Sequence, residues 1–216
     1  MIQFKIDFIP PEVFEMTDIT SLWLCHNKIT VVPSSIGDLK RLEVLSLQSN
    51  LLTNIPPEVC LLERLTTIHL QGNQLRTVPN LLGRLKNLTD LDLSNNMFED
   101  FPAVLTTLPR LTVLHMRNNK LTTLPSGMTN LRTMVILDVQ GNLITEPPYV
   151  LLKMPWCQVH GCPIPVSFGD SSALSFHISG YEVEELKELL MSRSQAAIAN
   201  KSRRRKKKSG YDLSPN

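Results

Sequence analysis

Histidine and aspartate side chains alternate along this chain at an interval of 23 residues, at His69, Asp92, His115 and Asp138. Imidazole and carboxylate groups can bind a charged partner, transfer protons or ligate a metal ion. Equivalent positions on stacked parallel strands lie about 4.8 Å apart along a line. Such a line does not converge on one point, as metal ligands must, and an open surface does not exclude water, as a catalytic site does. We therefore expect a charged binding stripe, with no catalytic residue, metal or cofactor.

Neighbouring positions extend this line into a candidate binding surface. Trp23 and Ser46 precede His69 at the same interval, and tryptophan and arginine are enriched at the energetic centres of interfaces. A solvated polar surface with no dedicated partner would carry the same residue types, so both interpretations stay open. The candidate partner-binding residues are Trp23, Ser46, His69, Asp90, Asp92, His115, Arg117 and Asp138.

A repeat with a period of 23 residues must position these side chains. It extends from residue 19 to about residue 152 and reads L-x-x-L-x-L-x-x-N-x-L-x-x-L-P. In its L-x-L part the two leucines point inward and the residue between them points outward, as a short strand requires. Self-similarity at this period predicts a solenoid, in which stability comes from stacking of neighbouring units. Two columns are identical in all six units: the asparagines Asn27, Asn50, Asn73, Asn96, Asn119 and Asn142, and the prolines Pro33, Pro56, Pro79, Pro102, Pro125 and Pro148.

The two identical columns have separate structural roles. The asparagine stands where the chain leaves the strand, and its amide both donates and accepts, so it can satisfy backbone groups of its own and the adjacent turn. The segment after the proline, such as residues 34–40, is expected to return the chain across the convex side as a short helix or turn. In the fourth unit Phe98 and Phe101 replace leucines, and we expect them to fill the core beside a locally altered convex segment.

This pattern resembles the leucine-rich repeat. The proline and the run Ile36-Gly37-Asp38-Leu39 after it are similar to the intracellular short-repeat subclass, which Scribble-type and Ras-suppressor-type proteins carry. The resemblance implies an α/β solenoid, a curved horseshoe with a parallel sheet on its concave face and short helices or turns on its convex face. It also implies a non-catalytic scaffold or adaptor that binds another protein on the concave face in intracellular signalling. By analogy with the family, a small GTPase, a phosphatase subunit or a polarity complex would be the partner, and we expect a monomer.

Both ends of the repeat region are expected to be capped. Residues 1–18 hold the end of an earlier unit, residues 19–148 the six repeats and residues 149–168 a C-terminal cap. In the register of the repeat, His160 and Cys162 fall on inward strand-leucine positions and Pro165 falls where asparagine should be. Because proline lacks the N–H that a strand ladder needs, we expect the sheet to end before this segment. Trp156 would then cover the last layer of the core.

The remaining segments have a different composition. Residues 169–180 predict a linker, residues 181–200 predict a helix with an apolar stripe, and residues 201–216 predict a disordered basic tail. The tail is the basis of an alternative function, a nuclear or nucleic-acid-associated factor. It could contact an import receptor, an anionic lipid surface or nucleic acid. Its basic residues are Lys201, Arg203, Arg204, Arg205, Lys206, Lys207 and Lys208.

Charge is distributed unevenly along the chain. The net charge is +2, with 22 basic and 20 acidic residues. Seven of the basic residues lie within residues 201–208, so the other 15 face 20 acidic residues and the body carries a net charge of −5. The solenoid is therefore mildly acidic, and only the tail favours nucleic acid.

Targeting signals and cysteine usage indicate the compartment. We expect no signal peptide, because no basic region followed by an apolar run opens the sequence, and no membrane span, because no apolar run approaches about 20 residues. Its cysteines, Cys25, Cys60, Cys157 and Cys162, do not form the disulfide-rich cap of extracellular repeat proteins. The spacing of the last two around His160 does not match a zinc site well. We expect a cytoplasmic or nuclear protein with reduced thiols and no transmembrane segment.

Overall fold

A parallel sheet runs through the computed structural model, with one three-residue strand in each coil of the chain. The strands pair in sequence order, and the central residue of each strand lies opposite the central residue of the next, as Leu45 lies opposite Ile68. This confirms the predicted leucine-rich solenoid. The seven strands are β1 Ser21–Trp23, β2 Val44–Ser46, β3 Thr67–His69, β4 Asp90–Asp92, β5 Val113–His115, β6 Ile136–Asp138 and β7 Gln158–His160.

The structure describes residues 5–144, 150, 153–154, 157–160, 163–165 and 175–177. The helix expected at residues 181–200, the basic tail and Trp156 lie outside the described residues. Within the described part of the chain, no helix has the length and hydrophobicity needed to cross a bilayer.

Each coil returns along the convex side through a 3-10 helix of five residues. A proline stands just before each helix; the ring fixes φ at −66° in Pro33 and −67° in Pro56, where no N–H is needed. Each helix packs against the next one along the chain. The convex segment predicted as a short helix or turn is thus a 3-10 helix. The helices are η1 Pro11–Glu15, η2 Ser34–Asp38, η3 Pro57–Leu61, η4 Asn80–Arg84, η5 Ala103–Thr107 and η6 Ser126–Asn130.

The fourth repeat unit departs from the others at the end of η5. Leu108 follows this helix with ψ of 111°, whereas Leu39 follows η2 with ψ of 59°. The cause is Pro109, because a residue that precedes proline is driven towards extended ψ. Phe98 is fully buried and Phe101 is only 8% exposed, so both fill the core as predicted.

The core lies between the sheet and the 3-10 helices. The central strand residues Leu45, Ile68 and Leu91 are at most 1% exposed. Together with apolar residues of the 3-10 helices, such as Ile36 and Leu82, they form one continuous cluster. Because every coil contributes to this cluster, each coil buries its apolar side chains against its neighbours.

The asparagines tie each coil to the one before it. Nδ2 of Asn73 donates to the carbonyl of Leu70 at 2.9 Å and to that of Leu47, in the preceding coil, at 3.0 Å. Its Oδ1 accepts the amide of Leu52, also in the preceding coil, at 3.0 Å. These bonds confirm that asparagine satisfies backbone groups of its own and the adjacent turn. Equivalent sets are made by Asn50, Asn96, Asn119 and Asn142.

The residue before each asparagine has a left-handed backbone. This conformation turns the chain out of the strand, and L side chains rarely adopt it. Glycine fills the position in only two of the six coils. The residues are His26, Ser49, Gly72, Asn95, Asn118 and Gly141, with φ between +52° and +71°.

The sheet does not end at the sixth repeat, contrary to the prediction. Strand β7 begins 22 residues after β6, whereas the earlier strands begin 23 residues apart. It pairs in parallel with β6, with Val159 opposite Leu137 and His160 opposite Asp138. Because this coil is one residue shorter, Val159 takes the buried position, at 5% exposure, and His160 points outward. The inward position predicted for His160 is therefore wrong.

Two further strands follow in the backbone. Strands β8, Pro163–Pro165, and β9, Ser175–His177, pair as a two-stranded antiparallel sheet. Strand β9 falls within residues 169–180, where the sequence predicts a linker.

Candidate binding surface on the sheet

Outward side chains of the strands and the residues just after them form three rows on the sheet, which together we call the concave face. The second row runs through the last residue of every strand, and direct strand pairing places its members side by side. The predicted line of alternating histidine and aspartate is thus confirmed as geometry. The first row is Ser21, Val44, Thr67, Asp90, Val113, Ile136 and Gln158; the second is Trp23, Ser46, His69, Asp92, His115, Asp138 and His160; the third is Cys25, Gln48, Gln71, Ser94, Arg117 and Gln140.

Trp23 occupies one end of the second row. It is 61% exposed, although tryptophan is usually largely buried in a folded domain. An exposed indole offers a large rigid apolar surface with a single polar N–H. Trp23 is therefore accessible to a partner in the way that the prediction requires.

Ser46 follows Trp23 in the second row but cannot serve as a contact residue. It is 0% exposed. Its Oγ lies 3.1 Å from Sγ of Cys25 in the preceding coil, within hydrogen-bonding distance. The alternation of the strand directs Ser46 outward, yet this short side chain is covered by its surroundings. Its predicted role in partner binding is therefore wrong.

Histidine and aspartate pair across neighbouring strands in two places. Nε2 of His69 lies 3.9 Å from Oδ2 of Asp90, and Nδ1 of His115 lies 3.9 Å from Oδ2 of Asp138. These distances are those of ion pairs, which form when the imidazole is protonated, and are too long for direct hydrogen bonds. His69 pairs with the first row rather than with Asp92 in its own row.

Two aspartates of the second row are held by backbone amides. Oδ1 of Asp92 accepts the amide of Ser94 at 2.9 Å, and Oδ1 of Asp138 accepts the amide of Gln140 at 3.0 Å. These bonds fix both carboxylates before any partner arrives. By contrast, Oδ1 of Asp90 is shielded from solvent and has no hydrogen-bond partner.

The His115–Asp138 pair changes the pKa of both groups. Interaction with the Asp138 carboxylate raises the pKa of His115 above its ordinary value of 6.5, against the effect of burial, and Asp92 and Asp90 act in the same direction. Burial alone would raise the pKa of Asp138. His115, the Gln140 amide and Arg117 outweigh burial and lower this pKa below 3.8. The charged pair, with His115 protonated and Asp138 ionised, therefore persists over a wider pH range than two such groups with ordinary pKa values would give.

The third row is mostly polar, and two of its glutamines are joined by a hydrogen bond. Nε2 of Gln71 donates to Oε1 of Gln48 at 2.6 Å in the preceding coil. Arg117 is exposed further along the row, between Ser94 and Gln140. Across the described positions of the concave face, three carboxylates (Asp90, Asp92 and Asp138) stand against the single guanidinium of Arg117. By this count of carboxylates and guanidinium groups, the face is acidic.

Cys157 and His160 do not share a site, although they lie three residues apart. Cys157 is 2% exposed, whereas His160 belongs to the outward second row. Burial raises the pKa of the Cys157 thiol to about 12, so it remains protonated at neutral pH. Among the described residues, no three histidine, cysteine or acidic side chains come together as a metal site would need. The side chains of Cys162 and His177 lie outside the described residues.

His160 is the surface residue that sequence reasoning missed. Its signal is the apolar Val159 between the polar residues Gln158 and His160, which matches the outward–inward–outward pattern of the other strands. A strict 23-residue register hides this match, because the last coil is one residue shorter.

Comparisons with known proteins agree with this geometry. Residues 12–117 match a family model described as a leucine-rich repeat region, and residues 110–131 match the leucine-rich repeat model. The structure is similar to that of a leucine-rich repeat protein of Leptospira interrogans, with a TM-score of 0.70 and 33% identity over 72% of this chain. No curated protein sequence matches the chain.

Two plant receptor structures are also similar. The leucine-rich repeat ectodomain of the receptor kinase GASSHO1/SCHENGEN3 from Arabidopsis thaliana, in complex with CASPARIAN STRIP INTEGRITY FACTOR 2, has a TM-score of 0.65 and 30% identity over 72% of this chain. The plant peptide hormone receptor RGFR1, in complex with RGF2, has a TM-score of 0.62 and 27% identity over 70%. The chain spans 40% of the length of the Leptospira protein and 20% and 25% of the two receptors.

Proposed function

This chain is a leucine-rich repeat protein, and on that premise we propose that it is a non-catalytic scaffold that binds a protein partner on its concave face. Repeat solenoids use their extended concave surfaces for binding. In this chain the concave face combines an exposed indole with carboxylates that are already fixed. No chemical step is needed for such a role.

The exposure of Trp23 is the observation that carries the proposal. At 61% exposure it is, with Phe8 and Val31, among the most exposed large apolar side chains of the described residues, and it stands at the end of the second row. Aromatic anchors of this kind dominate binding energy at many interfaces. Asp92, held by the Ser94 amide, adds a fixed charge three strands away. An anchor and a fixed charge together favour affinity with specificity.

The similar receptors give this proposal further support. GASSHO1/SCHENGEN3 and RGFR1 were both determined in complexes with CASPARIAN STRIP INTEGRITY FACTOR 2 and RGF2, respectively. A repeat fold of this kind therefore holds polypeptide ligands in other proteins. The partner of this chain is not inferred from theirs.

Finer features belong to the same proposal. The 23-residue period and its proline favour the short-repeat subclass. Membership of that subclass would suggest a signalling role in the cytoplasm or nucleus, with a small GTPase or phosphatase subunit as partner by analogy. The alternative, a nuclear or nucleic-acid-associated factor, rests on the basic residues 201–208 alone.

A double variant tests the proposed surface. We expect Trp23→Ala with Asp92→Lys to remove a specific set of proteins from affinity captures out of cell extract. The matched control is Leu81→Ala with Asp38→Lys, on the convex helices η4 and η2, which should leave the same set unchanged. Circular dichroism of both variants checks that the repeat stays folded. Identical protein lists for wild type and the concave variant would rule out this surface.

A further inference from the structure

The concave face is acidic, and the same chain carries a dense basic run outside the described residues. We propose that residues 201–208 bind in cis across the concave face and compete there with the partner, a regulatory role that rests on the proposed function. The occupant is this run and no other segment, because it holds seven lysine and arginine residues in eight positions.

Charge complementarity is the first argument. Asp90 and Asp92 flank Leu91 on β4, so both project from the same face. Salt bridges among the described residues pair neither of them with lysine or arginine; Asp90 has only His69 as a partner. Oδ1 of Asp90 is buried without a hydrogen-bond donor. The Asp90 side chain as a whole is 38% exposed, so a lysine or arginine side chain entering from above would supply a counter-charge to its open side.

Two other acidic side chains of the solenoid are already paired with arginine. Asp18 is paired with Arg41 at 2.9 Å, and Glu99 with Arg76 at 3.1 Å. Both pairs are largely exposed, so water screens their charge. The concave face differs because Asp90 and Asp92 lie on one strand and Asp138 lies two strand spacings away, about 10 Å, where their fields add.

Chain length allows the contact. The second row from Trp23 to His160 spans six strand spacings, about 29 Å. Between β9 and the basic run lie residues 178–200. They reach about 80 Å when fully extended. If residues 181–200 are helical, as the sequence predicts, that segment alone reaches about 30 Å.

The order of residues in the tail matches the order of features on the face. The solenoid ends at β7, so a segment that crosses back meets Asp138 on β6 and the carboxylates of β4 before Trp23 on β1. From β4 to β1 are three strand spacings, about 14 Å, which an extended chain covers in about four residues. Tyr211 follows Lys207 by four residues. A cation at β4 thus brings an aromatic ring to Trp23.

Carbodiimide crosslinking of the full-length protein tests the proposal, because this reagent joins a lysine amine to a carboxylate in direct contact. We expect mass spectrometry to identify links from Lys206, Lys207 or Lys208 to Asp90 or Asp92. The variant Asp90→Asn/Asp92→Asn should lose these links. The matched control Asp38→Asn/Asp100→Asn, whose residues are exposed outside the concave face, should keep them.

Two further measurements keep the test decisive. Raising the ionic strength from about 0.05 M to about 0.5 M shortens the Debye length to about 4 Å, and should suppress the same links even if the aspartate variant folds poorly. Mixing isotope-labelled and unlabelled chains separates links within one chain from links between copies.

Links spread evenly over Glu12, Asp38 and Asp100, or links only between copies, would overturn the proposal. Failure of this proposal is distinguishable from failure of the proposed function. If crosslinks to the face are absent while the Trp23/Asp92 variant still loses its proteins, the face binds a partner without this competitor. If crosslinks are present, neutralising the run with Lys206→Gln, Lys207→Gln and Lys208→Gln should increase partner capture; unchanged capture would refute the competition.

Discussion

Nδ1 of His115 on β5 lies 3.9 Å from Oδ2 of Asp138 on β6, and each group shifts the pKa of the other in the direction that favours the charged pair. A raised histidine pKa stabilises the fold at pH values below the unfolded value of 6.5, and this contribution is lost as pH rises through the folded pKa. A lowered aspartate pKa stabilises the fold above the unfolded value of 3.8, and this contribution is lost as pH falls through the folded pKa.

Replacing His115 by glutamine should therefore destabilise the protein most between about pH 4 and pH 6.5, where both contributions are present. We expect a loss of at most about 1 kcal/mol there, because the pair is partly exposed, and a smaller loss at pH 8 and above. Urea denaturation at a series of pH values measures it. In an Asp138→Asn background the His115→Gln substitution should lose most of this pH dependence. A loss that is equal at pH 5 and pH 9 would contradict the ion pair.

Replacing Asn73 by leucine should lower the free energy of unfolding by about 2 kcal/mol, because the buried amide of Leu52 loses its acceptor. The carbonyls of Leu47 and Leu70 each lose one of two donors and keep the bonds from Asn50 and Asn96. Thermal or urea denaturation measures the change. The matched control is Asn80→Leu, at an exposed position of η4, with an expected effect within about 0.5 kcal/mol. Similar losses for the two variants would show that the asparagine bonds contribute little.

The left-handed positions predict effects of opposite sign. Gly72 has φ of +70° and an added Cβ would make only ordinary contacts, so Gly72→Ala should cost about 1 kcal/mol through backbone strain alone. Ser49 has φ of +55° without being glycine, so Ser49→Gly should stabilise the fold by about 0.5 kcal/mol after the entropy of glycine is counted. Denaturation curves for both variants check the signs. Destabilisation by Ser49→Gly would show that its side chain contributes more than the strain costs.

Thiol reactivity should follow burial. Burial raises the pKa of Cys60 to about 11 and that of Cys157 to about 12, whereas Cys25 is half-buried at the edge of the concave face. Because the thiolate is the reacting form, iodoacetamide at pH 8 should modify Cys25 in the folded protein well before the other two. Peptide mass mapping measures the order, and modification of all three in urea is the control. Rapid labelling of Cys60 in the folded protein would contradict its burial.

The sequence predicts the solenoid and the second row because both follow from a fixed period. A residue 23 positions after another takes the equivalent place in the next coil, so His69 and Asp92 must lie side by side once the strands stack. Inward and outward directions follow from the alternation of a strand. The same reasoning places Phe98 in the core.

Features that break the period, or depend on neighbouring side chains, could not be predicted in the same way. The alternation of the strand predicts that the Ser46 side chain points outward, but it does not predict how much of that side chain is exposed to solvent. A serine beside Cys25 is short enough to be fully buried by its neighbours. His160 was misplaced because one missing residue reverses the direction of every later side chain in a strand. The ion pairing of His69 with Asp90 rather than Asp92 depends on side-chain rotamers, which a repeat pattern does not encode.

The asparagine bonds give the stack a direction. Each asparagine reaches back to the coil before it: Asn142 accepts the buried amide of Leu121 and donates to the carbonyl of Met116. Among these asparagine bonds, removing a coil from the front of the stack would leave only an asparagine side chain without partners, and that side chain can rotate and find water. Removing one from the rear would take the acceptor away from a buried main-chain amide, such as that of Leu121, whereas the carbonyl of Met116 keeps its bond from Asn119. The two ends of this solenoid therefore need different caps, and the cap at the rear must supply the hydrogen-bond acceptor that an asparagine side chain supplies elsewhere.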